Sequence, residues 1–523
     1  MRPNQSMTRN QNRLSTGKSE IDEKPGETEG AGSRRTGPHT KLAEARLFTS
    51  WKPLFFLRDE ENERFVILTG AIEPAPPRSH GEIHPVLPPN VDSGAPFLGV
   101  GMLLSVEFLH AARMRIAFFT ETFLPKMDGI VTTLCQTIHQ LRHLGHEVLI
   151  FAPDGGIAEF EGFRVVGMTS RAFPLYPELR LALPRASMRK VLNEFRPDIL
   201  HVADPALLGV AGLYYGGGND GGALQLPLVV AYHTDLPKYL HYYRLGFLEP
   251  YVWKILRTRH NRATLTLCTS DAMVSQLREH GIAPVALWPG AVDAGLFRPC
   301  RRSDAMRRRL TQGHPDQPLL LYVGRLSAEK NLESLRPWLH AFPQARLALV
   351  GGGPHRKAIE KHFAGLPVFF AGFLYKEELA SAYASSDVFV MPSRTETLGL
   401  VVLEAMASGL PVVAARAGGI PEMIQHEVTG YLVETESEAI NWVGALLGSQ
   451  DLRQTMGQNA QAEAASRSWK YATLQLISQY EEAIAMQRIG PGAGKVPSHP
   501  GWREPAKRAL RRSILFAARK LLP

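Results

Sequence analysis

The sequence predicts an α/β protein of two doubly wound parallel-sheet domains facing a central cleft, and three observations carry that expectation. From Met114 onward short apolar runs alternate with helical patterns: RIAFFT (115–120), HEVLIFAP (146–153), PDILHVAD, LPLVVAYHT, ATLTLCTS, LLLYVGR, ARLALVGGG, VFFAG, SDVFVMPS and PVVAA. Strands apolar on both faces belong to parallel sheets covered by helices on either side. There are more of them than one sheet of ordinary width holds, and a break falls at DAGLFRPCRRSDAMRRRLTQGHPDQP (293–318). The 523 residues, 44% hydrophobic, suffice for two or three domains with sizeable cores.

Taken in order, residues 1–113 read as an extension that is mostly disordered or linker. Residues 1–40 are polar and rich in Gly and Ser. Their five acids, Glu20 to Glu29, argue against an organelle transit peptide. WKPLFFLRDEENERFVILTGAI (51–72) has the pattern of a small hairpin, and the six prolines of 74–90 make an extended linker. The apolar run 95–112 is interrupted by Glu107 and His110 and falls short of the ~20 residues a membrane span needs. It reads as a buried or peripheral helix, or as a segment upstream of a natural start at Met114. The first doubly wound domain is expected over 114–297, with a helix over 131–145 closed by Gly145, and the second over 298–470. A helix over 471–486 and a flexible basic tail over 487–523 follow.

Composition excludes several classes. Cys135, Cys268 and Cys300 show no CxxC spacing, which leaves no structural zinc site or disulfide scaffold and implies a reducing compartment. Residues 1–113 carry fourteen basic and fourteen acidic side chains, whereas 485–523 carry nine basic and one acidic, so +8 of the net +9 lies in the tail. A nucleic-acid protein would spread its basic residues over the fold. Within KRALRRSILFAARKLLP (507–523), Leu510, Ile514, Ala517, Ala518 and Leu521 recur at helical spacing opposite Arg508, Arg512 and Arg519. That is the pattern of an amphipathic contact with an anionic membrane, or of a helix docked on the body with its arginines in water.

Ligands of parallel sheets bind outside the carboxyl ends of the strands, which shortens the search for chemistry. Gly129 opens the helix after the first strand, where backbone amides could approach an anion, although a turn glycine explains it equally well. His233 ends the strand LPLVVAY, suited to hydrogen bonding or acid–base work; a lone histidine is more often structural. Arg325 and Lys330 in GRLSAEKN stand at the mouth of one strand and can converge on a phosphate group, Arg as a fork and Lys as a point charge; a solvated basic turn is the plainer account. The three glycines of ALVGGGPHRK lack dinucleotide-binding spacing, and a tight turn accounts for them. The strongest element is PSRTETLGLVVLEAMASGLPVVAARAGGIPEMI (392–424). Glu396, then Thr397, Leu398 and Gly399, lead into a helix that carries Glu404, eight residues later. The two carboxylates could grip a sugar and a ribose, with the helix N-terminus facing the phosphates between. LGLVVLEAMA is otherwise apolar, so Glu404 needs a partner or a ligand.

On these residues the chain resembles the retaining, nucleotide-sugar-dependent glycosyltransferases of family 4, over about 115–485. The resemblance rests on the E-x7-E element, the GR…K before it and the GxPEMI…TGYLV segment after it. It is most similar to the glycolipid-forming branch: YHTDLPKYLHYYRLGFLEPYVW and the E-x7-E region resemble sulfolipid synthases, which act on diacylglycerol, and ETFLPKMDGIVTTL and LHVADPALLGVAGL resemble GDP-mannose-dependent lipid mannosyltransferases. The resemblance implies the GT-B fold, two Rossmann-like domains, the N-terminal for acceptor and the C-terminal for donor. It implies that Arg325 and Lys330 hold the donor diphosphate, Glu404 the ribose hydroxyls, and Glu396 with the following amides the donor sugar. His233 should lie beside the anomeric centre. The family often has two adjacent glycines in the first loop, where this chain has Asp128 before a single Gly129. No DxD motif occurs, in keeping with chemistry that uses no metal or other cofactor. The expected function is therefore retaining transfer from a nucleotide sugar to a lipid, on the inner face of the cell membrane in the cytoplasm, with mannosyl transfer from GDP-mannose to a lipid or envelope glycan as the alternative. The architecture also serves sugar-nucleotide epimerases, phosphorylases and non-catalytic binding proteins.

Overall fold

The computed structural model describes residues 55–59, 64–68, 113–173, 176–217 and 223–489. The chain divides into two units, 1–108 and 109–523. In the first, Phe55–Asp59 pairs antiparallel with Arg64–Leu68, the hairpin expected over 51–72. The expectations for 1–40, 74–90, the apolar run 95–112 and the tail 507–523 lie outside the described residues. Among those described, no helix is long and apolar enough to cross a membrane.

The second unit holds two separate sheets of mostly parallel strands. The first runs, edge to edge, Val285–Leu287, Leu265–Cys268, Leu228–Tyr232, Ile199–Val202, Arg115–Phe119, Glu147–Pro153, Phe163–Met168 and Glu159–Phe160, with only the last two antiparallel. The second, wholly parallel, runs Val368–Gly372, Arg346–Val350, Leu319–Val323, Val388–Met391, Val412–Ala415 and Gly430–Val433. Beyond partly exposed end residues such as Arg115, Glu147 and Arg346, their central strands are buried, which is why they read as apolar runs. Phe163–Met168, Val285–Leu287 and Gly430–Val433 add strands that the run-by-run reading passed over. A short hairpin, Ser170–Phe173 with Tyr176–Ala182, stands apart.

In each sheet the strand order reverses beside one strand: Arg115–Phe119 lies between Glu147–Pro153 and Ile199–Val202, and Leu319–Val323 between Arg346–Val350 and Val388–Met391. Crevices at such points are where open α/β sheets bind ligands. The helix Gly129–His143 starts two residues before the expected 131, because the Asp128 carboxylate caps it by accepting from the Val131 amide at 3.0 Å. The closing helix Trp469–Ile489 turns back to the first sheet: Leu476, Ile477, Tyr480 and Ala483 are buried with Ile116, Phe118, Leu134 and Trp288. Cys135, Cys268 and Cys300 are free thiols.

Candidate active site

The loop after Leu319–Val323 turns at Gly324 and carries Arg325, held at one side by Glu329, whose carboxylate lies 4.0 Å from the guanidinium. Glu329 is itself buried and accepts hydrogen bonds from Ser327 Oγ (2.5 Å) and from Tyr243 Oη (2.8 Å) in the other domain. Burial works against its charge, but those donors and Arg325 outweigh it and hold its carboxyl below the usual range. Next in the chain, Lys330 Nζ meets Glu396 Oε1 at 2.6 Å, both side chains only 13% exposed. Burial alone pulls the pKa of this ammonium down; the Glu396 carboxylate more than offsets it and raises Lys330 well above its ordinary range.

Glu396 sits in the loop after Val388–Met391, and this loop reaches across to the first domain. Thr397 Oγ1 donates to the His233 carbonyl at 2.6 Å, and Thr269 Oγ1 donates to the Thr397 carbonyl at 2.9 Å. Leu398 packs on Gly290, where a Cβ would lie 2.3 Å from Leu398 Cδ1. The segment Gly418–Glu422 presses on the loop from the other side: the Gly419 amide donates to the Glu396 carbonyl at 2.9 Å. Gly418 has φ +59°, and a Cβ there would stand 2.0 Å from the Glu396 carbonyl oxygen, so only glycine fits. After Gly399 the helix Leu400–Ala407 begins. Glu404 inside it accepts a hydrogen bond from Tyr383 Oη at 2.8 Å, the partner that an apolar helix demanded. Burial pushes the Glu404 carboxyl up to about 7, the Tyr383 bond opposing it.

Across the cleft, His233 follows Leu228–Tyr232 and meets Trp288 edge-on, ring centroids 5.7 Å apart. Burial lowers its pKa to about 4 despite the nearby Asp128 carboxylate, so the ring is neutral at neutral pH. Its Nε2 is buried without a hydrogen-bond partner. Asp204, after Ile199–Val202, also has a buried oxygen, Oδ2, without a partner. Beside it, Glu121 caps the helix Leu207–Tyr215 by accepting from the Leu208 amide. Burial first, then the neighbouring carboxylate (Asp204 for Glu121, Asp128 for Asp204), raises Glu121 to about 7 and Asp204 to about 6.

Two family patterns cover most of this unit. Residues 127–296 match the pattern described as Glycosyltransferase Family 4, and 307–463 match Glycosyl transferases group 1. A sulfoquinovosyl transferase of Arabidopsis thaliana is 39% identical over 396 residues, 73% of this chain and 76% of that one. The chain belongs to this glycosyltransferase family. A GDP-mannose-dependent alpha-mannosyltransferase of Mycobacterium tuberculosis is 36% identical over 70% of this chain and 96% of its own length. The solved sucrose-phosphate synthase of Thermosynechococcus elongatus covers 71% of the chain with TM-score 0.59 at 22% identity, a likeness of fold that bears out the GT-B expectation. The protein is a glycosyltransferase, and the epimerase, phosphorylase and binding-module readings give way.

Of the residues the sequence singled out, the fold of the transferase brings Lys330 into contact with Glu396, and Thr397 into contact with the backbone of His233. Arg325 shares the loop of Lys330, and Glu404 lies in the helix that follows the loop of Glu396. Gly129 is at the helix start itself, where a Cβ would lie 3.8 Å from Leu400 Cδ1 in ordinary contact. Its cap is taken by the Asp128 carboxylate, which Lys126 meets at 2.9 Å, so this terminus already faces a negative charge. Glu329, Tyr243, Tyr383 and Glu422 escaped the sequence reading. The glycine triplet 351–353 does more than turn: Gly351 has φ +125°, a Cβ on it would fall 2.0 Å from the Gly324 carbonyl oxygen, and the Leu326 amide donates to the Gly352 carbonyl. Those glycines let their loop support the one bearing Arg325.

Proposed function

We propose that this glycosyltransferase moves a sugar from a nucleoside-diphosphate donor to a diacylglycerol-type lipid, with retention of anomeric configuration. The observation that carries the reading is the meeting of the Lys330–Glu396 pair with the His233 loop through the Thr397–His233 contact, from opposite sides of the cleft. Arg325 and Lys330 stabilise the negative charge that grows on the diphosphate as the anomeric C–O bond breaks, the part a divalent ion plays elsewhere. Glu404 receives the ribose hydroxyls. Glu396 and the backbone of Thr397, Leu398 and Gly399 hold the sugar. Neutral His233 offers Nε2 to a sugar hydroxyl next to the anomeric carbon. Gly129 marks the helix start facing Leu400, where an added Cβ would sit in ordinary contact. The acceptor oxygen bonds to the anomeric carbon from the face the phosphate leaves, and its proton passes to a departing phosphate oxygen. No metal or other cofactor takes part in this scheme.

A lipid acceptor is supported by the 39% identity to a sulfoquinovosyl transferase, together with the resemblance of the sequence to sulfolipid synthases that act on diacylglycerol. It requires the cleft to work at a membrane, so the enzyme is proposed to be peripheral on the inner face, with 507–523 as one basic contact. The 36% identity to a GDP-mannose-dependent enzyme favours a second donor reading, mannose transfer to a lipid or envelope glycan. Incubation with labelled UDP- and GDP-sugars and a lipid extract tests both. Labelled glycolipid is the expected product; label found only in water-soluble glycan would overturn the lipid acceptor.

A further inference from the structure

Directly after His233 the chain forms a helical hairpin, Leu236–Tyr242, a turn at Gly246–Leu248, and Glu249–His260. It is tied together by the Leu245 amide to the Leu240 carbonyl (2.8 Å) and by His241 to Glu249 (2.7 Å). Its inner side is spent on the enzyme. Trp253, Leu256 and His260 are buried, and Tyr243 Oη holds Glu329 beside Arg325. The outer side is different. Of the fifteen exposed large apolar side chains among the described residues, six fall in the twenty positions 236–255: Leu236, Leu245, Phe247, Tyr251, Ile255 and the half-exposed ring of Tyr243, whose hydroxyl turns inward to Glu329. Phe247 and Tyr251 are 72% and 67% exposed. Single exposed apolar residues need no explanation, but a cluster on one small motif marks an interaction surface.

Charge identifies the partner. Residues 236–257 contain four basic side chains and one acid, Glu249. Glu249 is engaged by His241, while Arg244 and Lys254 are exposed beside the apolar residues and Arg257, also exposed, lies along Gly281. On the helix Glu249–His260, Tyr251, Lys254, Ile255 and Thr258 share the outward face at helical spacing. Aromatic and aliphatic side chains flanked by cations fit the boundary between headgroups and acyl chains of an anionic bilayer. We infer that this hairpin docks the enzyme on an anionic lipid bilayer, setting the His233 side of the cleft against the surface. The inference rests on the lipid-acceptor reading for its purpose but not for its test.

Vesicles of phosphatidylglycerol, without donor or glycosyl acceptor, are mixed with the full-length chain. The triple variant Phe247→Ser, Tyr251→Ser, Ile255→Ser changes only outward side chains, so its thermal melting should match the wild type, and its vesicle affinity should fall about 10-fold or more. Phe247→Trp gives a second readout that ignores the basic tail: emission in excess of the parent protein should be quenched by bromine-labelled acyl chains. Quenching with weakened binding of the triple variant supports the docking surface, even if the enzyme proves to glycosylate only a soluble glycan. Unchanged vesicle affinity of a folded triple variant, or excess emission untouched by brominated lipid, overturns it. So does wild-type binding that is equal for phosphatidylcholine, and so does a surface that instead self-associates in solution without binding vesicles.

Discussion

The loops after Leu319–Val323 and Val388–Met391 carry charges that are already matched within the protein, whereas those after Ile199–Val202 and Leu228–Tyr232 end in buried polar atoms without partners. Lys330 has Glu396, Arg325 has Glu329, and Glu404 has Tyr383. His233 Nε2 and Asp204 Oδ2 have none. Pairing fixes, before a ligand arrives, the geometry of the side proposed to grip one repeated chemical unit, a sugar linked to a nucleoside diphosphate. A buried polar atom left unmatched costs about 1–3 kcal/mol, a cost that a hydroxyl donated at that position relieves. The proposed donor half is thus preformed, and the facing half is left unsaturated.

The comparison breaks most visibly at Lys330. Replacing it with alanine removes the proposed leaving-group stabiliser and should lower turnover ~10²-fold or more. It also strands the Glu396 carboxylate in a half-buried place, for about 3 kcal/mol of stability. Lys330→Ala with Glu396→Ala should regain most of that stability in urea unfolding while staying inactive. A double variant no more stable than the single one would mean the two side chains are not coupled. Arg325→Ala should match the kinetic loss with a smaller stability change, because its contact with Glu329 is longer and its side chain 30% exposed.

Gly418→Ala tests whether the backbone of the donor loop matters as much as its charges. The added methyl must push the Glu396 carbonyl away, displacing that loop without touching the Glu404 helix. Turnover should fall some tens-fold, since sub-ångström placement governs such steps, while affinity for the free nucleoside diphosphate changes by less than about 3-fold. Calorimetry and steady-state kinetics together decide it; parallel losses in both would show that the loop and the nucleotide site move as one.

Glu404 sharpens the comparison through pH. In the proposed scheme the ribose hydroxyls bind the carboxylate, so nucleotide affinity should climb as pH rises through about 7 and level off above it. Glu404→Gln should bind about 10-fold more weakly at pH 8 and show no such rise. The sign for stability is opposite. With its native pKa raised from 4.5 to about 7, the folded protein keeps this proton longer than the unfolded chain, so the free enzyme loses stability as pH rises between those values, by no more than about 3 kcal/mol. That slope should flatten in the glutamine variant.

What the sequence disclosed, and what it hid, follows the same division. Strands such as Leu319–Val323 and Val412–Ala415 are buried on both faces and announced themselves as apolar runs. Phe163–Met168 did not, because Phe163, Arg164, Val166 and Gly167 are not buried and the run breaks up. At the site, cations and carboxylates at strand ends were legible because parallel sheets collect ligands there. Glu329 was not: in SAEKN it looks like a solvated turn charge, and only the fold brings Tyr243 to it from 86 residues away. Tyr383, too, is just one tyrosine of a helix until Glu404 is seen above it. The glycine triplet looked like a turn, since the loop it touches, at Gly324, is distant in sequence.

The smallest expected effect lies at a contact between the halves. Glu422 belongs to the segment that braces the donor loop, yet its carboxylate accepts from the amides of Asp271 (2.9 Å) and Ala272 (2.8 Å), the first turn of helix Asp271–Glu279 in the other domain. A carboxylate there satisfies amides the helix cannot bond itself and meets the positive end of its dipole. Arg467 donates to the Glu422 carbonyl and steadies it. Ser270 already serves as that helix's own cap, accepting from the Met273 amide, so the helix survives without Glu422 and the loss falls on the junction. Glu422→Ala should therefore cost only about 1 kcal/mol in global unfolding. It should weaken donor binding about 3-fold by freeing the halves to open, which small-angle scattering would register as a larger radius of gyration without donor. Glu422→Gln keeps an acceptor in place and should lie between. If the alanine variant scatters and binds like the parent, this bridge caps a helix and nothing more, and the Thr397–His233, Thr269–Thr397 and Tyr243–Glu329 contacts hold the cleft together.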